Sequence, residues 1–328
     1  MMTNKSEDIR MTLENIIQPI NEPLQTKVLY KRVVEDKKAF KVTLLGLGDV
    51  GGTLLIGLRL LGRGIISEIG IYDLSSDKLS RWEMELNQIV DPNDDTLPPV
   101  RIIGQEELFD GDMFIFTASK FVPQVGSDVK DVRMVQFESN RQIIEIYAKQ
   151  ASEQEYKGIF AVVSDPVDLL CSAVNRVASN LSKDQIRGYG LGVMYGRAKY
   201  YADKEGIDFT KGRAYGPHGK ALVIANDLES YDSEKSQALT TLTIEANLKV
   251  RDAGFKPYVA PALSSGALSL LHTLRGQWHY SAVAIDDYYL GVRNRYINGK
   301  TEVECIPAHV NLVKRIENSV EEMRMVWR

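Results

Sequence analysis

Apolar residues in the first half of the chain fall into short unbroken runs. "FKVTLLGL", "EIGIYDL", "DMFIFTA" and "GIFAVVS" lack the alternation of a strand with one wet face. Stretches with helical spacing separate them, among them "SDKLSRWEMELNQIV", "DVRMVQFESNRQIIEIYAKQAS" and "VDLLCSAVNRVAS". Continuous apolar strands alternating with helices predict a parallel sheet covered on both faces, a doubly wound α/β unit. Ser76 or Asp77 is the expected cap of the first of these helices. "IRGYGLG" reads as a further strand. After about residue 193 the pattern mixes. "YGRAKYYADKEG" and "DSEKSQALTTLTIEANLKVRDAG" predict helices, "WHYSAVAIDDYYLGV" paired strands, and "AHVNLVKRIENSVEEMRMVWR" a last helix. The expected organisation is an extension over 1–38, an α/β domain over 39–192 and an α+β domain over 193–328. In the extension, Ile9, Met11, Leu13, Ile16 and Ile17 have helical spacing, which suits either a terminal helix or an arm on a neighbouring subunit.

Composition narrows the class of partner. With 44% hydrophobic and 26% charged residues the chain has the make-up of a soluble globular protein. A net charge of −4 gives no footprint for nucleic acid or an acidic membrane. Cys171 and Cys305 are far apart and lack ligand spacing, so no metal is expected and a reducing, cytoplasmic setting is. The first residues are polar and charged, unlike a signal peptide, and the apolar runs are too short to span a bilayer.

The first strand leads into "GLGDVGG", in which Gly46, Gly48 and Gly51 form G-x-G-x-x-G at the opening of a helix. In that setting the first glycine makes the tight turn and the second admits a pyrophosphate. The third allows the helix close to the strand, and the helix N-terminus faces the phosphate charge. Asp73 ends the next strand, where a carboxylate bonds ribose hydroxyls and repels a 2′-phosphate, favouring NAD over NADP. The α/β half is therefore expected to be Rossmann-type. Asp49, Val50, Thr117 and Ala118 line the same strand ends.

Several ordered stretches resemble the lactate/malate dehydrogenase family. "GLGDVGGTL" and "IYDL" match its cofactor segment, and "DKLSRWEMELNQI" resembles its "DK..G..MDL.H" helix. "DMFIFTAS" resembles "ADVVIITAG", and "VRMVQFESN" the segment after its mobile loop. "VVSDPVDLL" resembles "VVTNPVDIL", "GRAKYYADKEGI" the helix after "LDSARFR", and "GPHGKA" resembles "GEHGDS". The resemblance implies an NAD-dependent oxidoreductase that moves hydride between nicotinamide and a small carboxylate substrate, and a homodimer or homotetramer. His218 then matches the acid/base, Arg197 the carboxylate-binding arginine and Arg133 the mobile-loop arginine that polarises the carbonyl. Asn140 joins the cofactor side, and Ser264 falls near the substrate pocket. Without that frame, His218 reads as a turn histidine, Arg133 as a solvated helix arginine, and Arg197 as a surface arginine with Asp203 within helical reach.

The departures carry the most information. Where the family keeps the Asp that orients its histidine, this chain has Met194; where it keeps a substrate-binding Asn, this chain has Asp165. Three readings follow. Asp165 partners His218 or donates the proton itself; Asp165 complements the positive charge of an imine or amine substrate; or the site has left the family's chemistry and the chain binds NAD(H) for sensing, scaffolding or partner binding. The loop before Arg133, "KFVPQVGSDVKDV", is longer than usual. Pro217 and Lys220 alter the histidine turn. Gly266, in "SSG", is expected to enlarge the pocket.

Overall fold

The computed structural model of the chain describes residues 16–18, 25–31, 39–94, 96–120, 132–286, 288–297 and 299–327. An arm contributes β1 (Ile17–Gln18) and β2 (Gln25–Lys31). Then come β3 (Phe40–Leu45), α1 (Asp49–Leu61), β4 (Ile66–Tyr72), α2 (Ser76–Asn87), β5 (Val100–Ile102), β6 (Met113–Phe116), α3 (Val132–Glu153), β7 (Ile159–Val162), α4 (Val167–Val177) and β8 (Ile186–Gly188). The second half holds α5 (Leu191–Glu205), β9 (Arg213–Tyr215), β10 (Val223–Ala225), α6 (Ser233–Asp252), a π-helical segment Pro261–Leu268, α7 (Ser269–Leu274), β11 (His279–Ile285), β12 (Tyr288–Ile297), β13 (Lys300–Pro307) and α8 (Val310–Trp327).

Strands β3 to β8 are parallel in the order β5-β4-β3-β6-β7-β8. The chain winds outward in both directions from the β3–β6 pair, so the crevice at their C-terminal ends is the topological switch point where such sheets bind ligands. The unbroken apolar runs have a simple cause. Met113 and Ile115 of β6 enter the core under α1 and α7, while Phe114 and Phe116 enter the core under α3 and α4. β7 divides in the same way, with Ile159 and Ala161 on one side and Phe160 and Val162 on the other. With both faces dry, period-2 alternation has no polar half. Each buried Leu, Ile or Phe of this kind contributes about 1.5–3 kcal/mol relative to exposure.

The same sheet runs on into the second half. β11 pairs antiparallel with β8 at Ala282↔Gly188, and β12 and β13 follow as an antiparallel meander. β9 and β10 form a separate hairpin, bridged to β12 at Gly216↔Gly291. Helix α8 closes a further core with Val292, Val303 and Leu312, and Ile16 of the arm is fully buried in it.

Two local expectations are corrected. The cap of α2 is Ser75, whose hydroxyl accepts from Lys78 N, one residue before the pair expected. The helical spacing in the arm does not continue to its end: Ile17–Gln18 is a strand, pairing with Ile306 and Pro307 of the same chain. The rest of that helical stretch lies outside the described residues.

Candidate active site

The Gly-rich turn is built by contact between strand, turn and helix. Gly46 has φ +99°, and a Cβ there would lie 2.8 Å from Ala118 N. A Cβ on Gly51 would fall 1.9 Å from Gly46 O. Thr117 Oγ1, at the end of β6, shares its proton between Leu45 O at 2.9 Å and Gly46 O at 2.6 Å, fixing the turn from the neighbouring strand. Ala118 O in turn accepts from Ser164 Oγ at 2.8 Å. Asp73 reaches the turn from β4: Oδ2 accepts from Leu47 N at 2.7 Å and Oδ1 from Ser75 N at 3.0 Å. Its carboxylate stays beside the turn with lone pairs left for a ribose hydroxyl.

Gly48 caps α1 in an extended conformation, and no side chain caps the helix. A Cβ on Gly48 would meet nothing within 4 Å. The first N–H groups of α1 therefore open onto free space, with the positive end of the helix dipole behind them. This cradle fits a pyrophosphate. Val50, partly buried, packs against the core under α1, and Asp49 pairs with Lys256 at 2.8 Å. Gly51→Ala is expected to force the turn apart. NADH binding, read by fluorescence titration, should weaken at least about tenfold, and overpacking against backbone should cost about 1–3 kcal/mol in urea denaturation.

Asn140 stands in α3 and bonds to the turn after β7. It is fully buried; Nδ2 donates to Asp165 O at 2.8 Å and Oδ1 accepts from Lys120 N at 3.1 Å. Both ends of the amide bind backbone, so Asn140 positions the turn after β7.

That turn presents Asp165, and the loop between β9 and β10 brings His218 to it. His218 Nδ1 lies 2.7 Å from Asp165 Oδ1. The buried carboxylate of Asp168, in the first turn of α4, accepts from His218 N at 3.1 Å and holds the backbone of the loop. A Cβ on Gly190 would lie 2.8 Å from His218 Cβ, so the ring is pressed against the start of α5. His218 Nε2 is buried and has no partner among the described residues. With Asp165 ionised, Nδ1 carries hydrogen and Nε2 is left as the exchangeable nitrogen.

Helix α5 carries Met194 and Arg197. Met194 is buried, and its sulfur lies 3.6 Å from Arg197 Nη1. Asp203 pairs with Lys199 at 3.7 Å, which removes the surface-pair reading of Arg197. Burial pulls the Arg197 pKa below its ordinary value, and the nearby charge of Asp165 opposes that. An arginine does not deprotonate in this range, so it is a partly desolvated cation able to take a carboxylate in its fork.

Ser264 sits in the π-helical segment beside α5, with Oγ 3.9 Å from where a Cβ on Gly196 would lie. Sequence reasoning missed its neighbour Ser265, which accepts from Val193 N and donates to Gly190 O, both at 2.8 Å, pinning the start of α5. It also missed Asp168, whose only sequence signal was a carboxylate one turn after Asp165. Gly266 does not enlarge the pocket: a Cβ there would strike Leu54 Cδ1 of α1 at 2.6 Å, so its small size serves helix packing. Pro217 is buried and Lys220 exposed. Arg133 stands at the start of α3, and its side chain, like the long loop before it, lies outside the described residues. Among the described residues no cluster could hold a metal ion, and no helix is long and apolar enough to cross a membrane.

A doubly wound sheet with this turn and cradle defines a dinucleotide-binding fold. Residues 40–188 match the family described as lactate/malate dehydrogenase, NAD binding domain, and the cofactor of such a domain is NAD. A similar relative is an L-lactate dehydrogenase of Staphylococcus haemolyticus, 26% identical over 187 residues, 56% of each chain. The match thus spans little more than half of that relative's length. Among solved structures, a minor L-lactate dehydrogenase from Enterococcus mundtii superposes with a TM-score of 0.74 at 20% identity, covering 88% of this chain and 98% of that one. A malate dehydrogenase from Archaeoglobus fulgidus in complex with NADH gives 0.73 at 19% identity, covering 87% and 97%. These likenesses carry the fold across both halves of the chain.

Proposed function

We propose that this chain is an NAD-dependent oxidoreductase that interconverts a 2-oxo acid and its 2-hydroxy acid, with the histidine-orienting carboxylate supplied by Asp165 in place of the family's Asp. The observation that carries this reading is the 2.7 Å contact between His218 Nδ1 and Asp165 Oδ1, with Nε2 buried and unpartnered. Asp165 engaged with His218 favours the partnership over a role as counter-charge to a nitrogen substrate, and it gives the missing Asp at Met194 a replacement. The charge count of the site is thereby kept.

When bound, NADH supplies the hydride to the substrate's carbonyl carbon. The chain's own groups do the rest. Arg197 grips the substrate carboxylate through its fork. His218, protonated, donates from Nε2 to the carbonyl oxygen as that oxygen gains charge, and Asp165 stabilises the imidazolium before the transfer. The reverse reaction returns the proton to Nε2. Asn140 and Asp168 act through the backbone, holding the two turns in register.

The test is NADH oxidation over a panel of 2-oxo acids of varied side chain, with and without ammonium or a primary amine. Turnover without amine is the expected result. Turnover only with amine points to imine reduction. Absence of turnover throughout, together with measured NADH binding, overturns the enzyme reading in favour of a non-catalytic NAD(H)-binding homologue.

A further inference from the structure

The cofactor helix begins with a carboxylate. Asp49 is the first residue of α1, directly after the cap Gly48. In the free protein an acidic residue there complements the helix dipole. With cofactor bound, it would stand beside the pyrophosphate and repel it. Lys256, distant in sequence, places Nζ 2.8 Å from Asp49 Oδ2. The side chains are 78% and 49% exposed, and a surface pair of that kind contributes little to stability. Its location is the informative feature. The segment bearing Lys256 leads directly into the π-helical segment, which packs tightly on α1. A Cβ on Gly57 would come within 2.6 Å of Ala267 Cβ there. That close packing ties the Lys256 segment to the helix whose N-terminus forms the phosphate cradle.

We propose that Lys256 is a ligand of the NAD pyrophosphate, supplied by the second half of the chain and parked on Asp49 in the free protein. An ammonium has three donors on a flexible stem, so it can turn one toward a phosphate oxygen while keeping Asp49 neutralised. Asp49 then works against the cofactor and Lys256 for it. This role rests on NAD binding alone and is independent of the chemistry at Asp165 and His218.

The experiment measures dissociation constants for NADH by fluorescence and for ADP-ribose, which keeps the pyrophosphate, by calorimetry. Lys256→Gln is expected to weaken both ligands about five- to thirtyfold, as for an exposed charge-assisted bond. Asp49→Asn is expected to tighten both by about two- to fivefold while lowering the melting temperature slightly, because the helix loses its N-terminal charge. Raising the ionic strength should shrink both effects. The opposite signs are decisive. A pair that only holds α1 in place predicts weakening in both variants. Lys256→Gln binding ADP-ribose within about twofold of the parent, or Asp49→Asn weakening it as much as Lys256→Gln does, would overturn the assignment.

Discussion

Asp165→Asn is expected to lower kcat roughly 10²–10⁴-fold on the best 2-oxo acid, the range seen when a histidine acid/base loses its carboxylate partner. The NADH dissociation constant should stay near the parent value, because Asn140 holds the turn through the Asp165 backbone carbonyl, which the substitution keeps. The physical reason is specific to the atoms involved. An asparagine at 165 can offer its carbonyl to Nδ1–H, but it brings no charge to stabilise the imidazolium. It can also flip its NH₂ toward Nδ1 and stabilise the tautomer with hydrogen on Nε2, which cannot accept a proton from an alcohol. Steady-state rates over pH, compared with the parent, check this. A variant that keeps kcat within about threefold would remove Asp165 from proton transfer. The family's usual asparagine is thus expected to damage this chain, because the Met194 thioether cannot supply the carboxylate that the substitution removes.

The second large effect concerns acid stability. His279, at the start of β11, is buried, and its Nδ1 lies 3.0 Å from Gln277 O. Its Nε2 lies 2.9 Å from Thr273 Oγ1 and 3.1 Å from Ser281 Oγ. Burial, reinforced by the charge of Arg187, pushes its pKa down to about 3 from the usual 6.5. The unfolded chain therefore binds a proton at this site below about pH 6.5, which the folded chain refuses until near pH 3. The stability contribution is whole above pH 6.5 and declines as the pH falls through that window. One proton is worth 1.36 kcal/mol per pH unit, so about 2 kcal/mol is lost by pH 5 through His279. Urea denaturation at pH 7.5 and pH 5 should show the parent losing about 2 kcal/mol more than His279→Gln. Equal losses in the two proteins would mean that the ring is charged in the fold.

The central sheet was legible because its runs are apolar on every residue, which only a doubly covered strand requires. β13 was not, and the reason is charge. Glu302 and Glu304 interrupt the run, and in the structure both are largely buried as ion-pair partners. Glu304 takes Arg213 Nε at 2.6 Å and also binds Arg293, while Glu302 takes Arg295 Nε at 2.6 Å. The alternating charges there are a ladder of ion pairs between strands. At the site, single residues could be suspected one by one, since histidine, arginine and aspartate have distinctive chemistry. That Asp165 partners His218 was one of three readings the residues left open. The loop that bears His218 belongs to the β9–β10 hairpin and the turn that bears Asp165 joins β7 to α4, and only the topology sets their atoms 2.7 Å apart. Gly266 was misread for the complementary reason. A residue type that can open a pocket is also one that can admit a neighbouring helix.

The arm has a consequence for how these molecules behave in a crowd. β13 is bonded on one side to β12, and its other side would be a row of bare amides and carbonyls. β2 pairs along Lys300–Cys305, and β1 continues over Ile306 and Pro307, so the two short pieces tile that flank from end to end. At the far end, the sheet stops at β5, only Val100–Ile102 in length. An open β flank is a template on which a second chain can add. Here one flank is sealed by the chain's own β1 and β2 and the other is too short to serve. Protein that has lost the arm is left with an adhesive border, and clumping rather than unfolding is the hazard it faces.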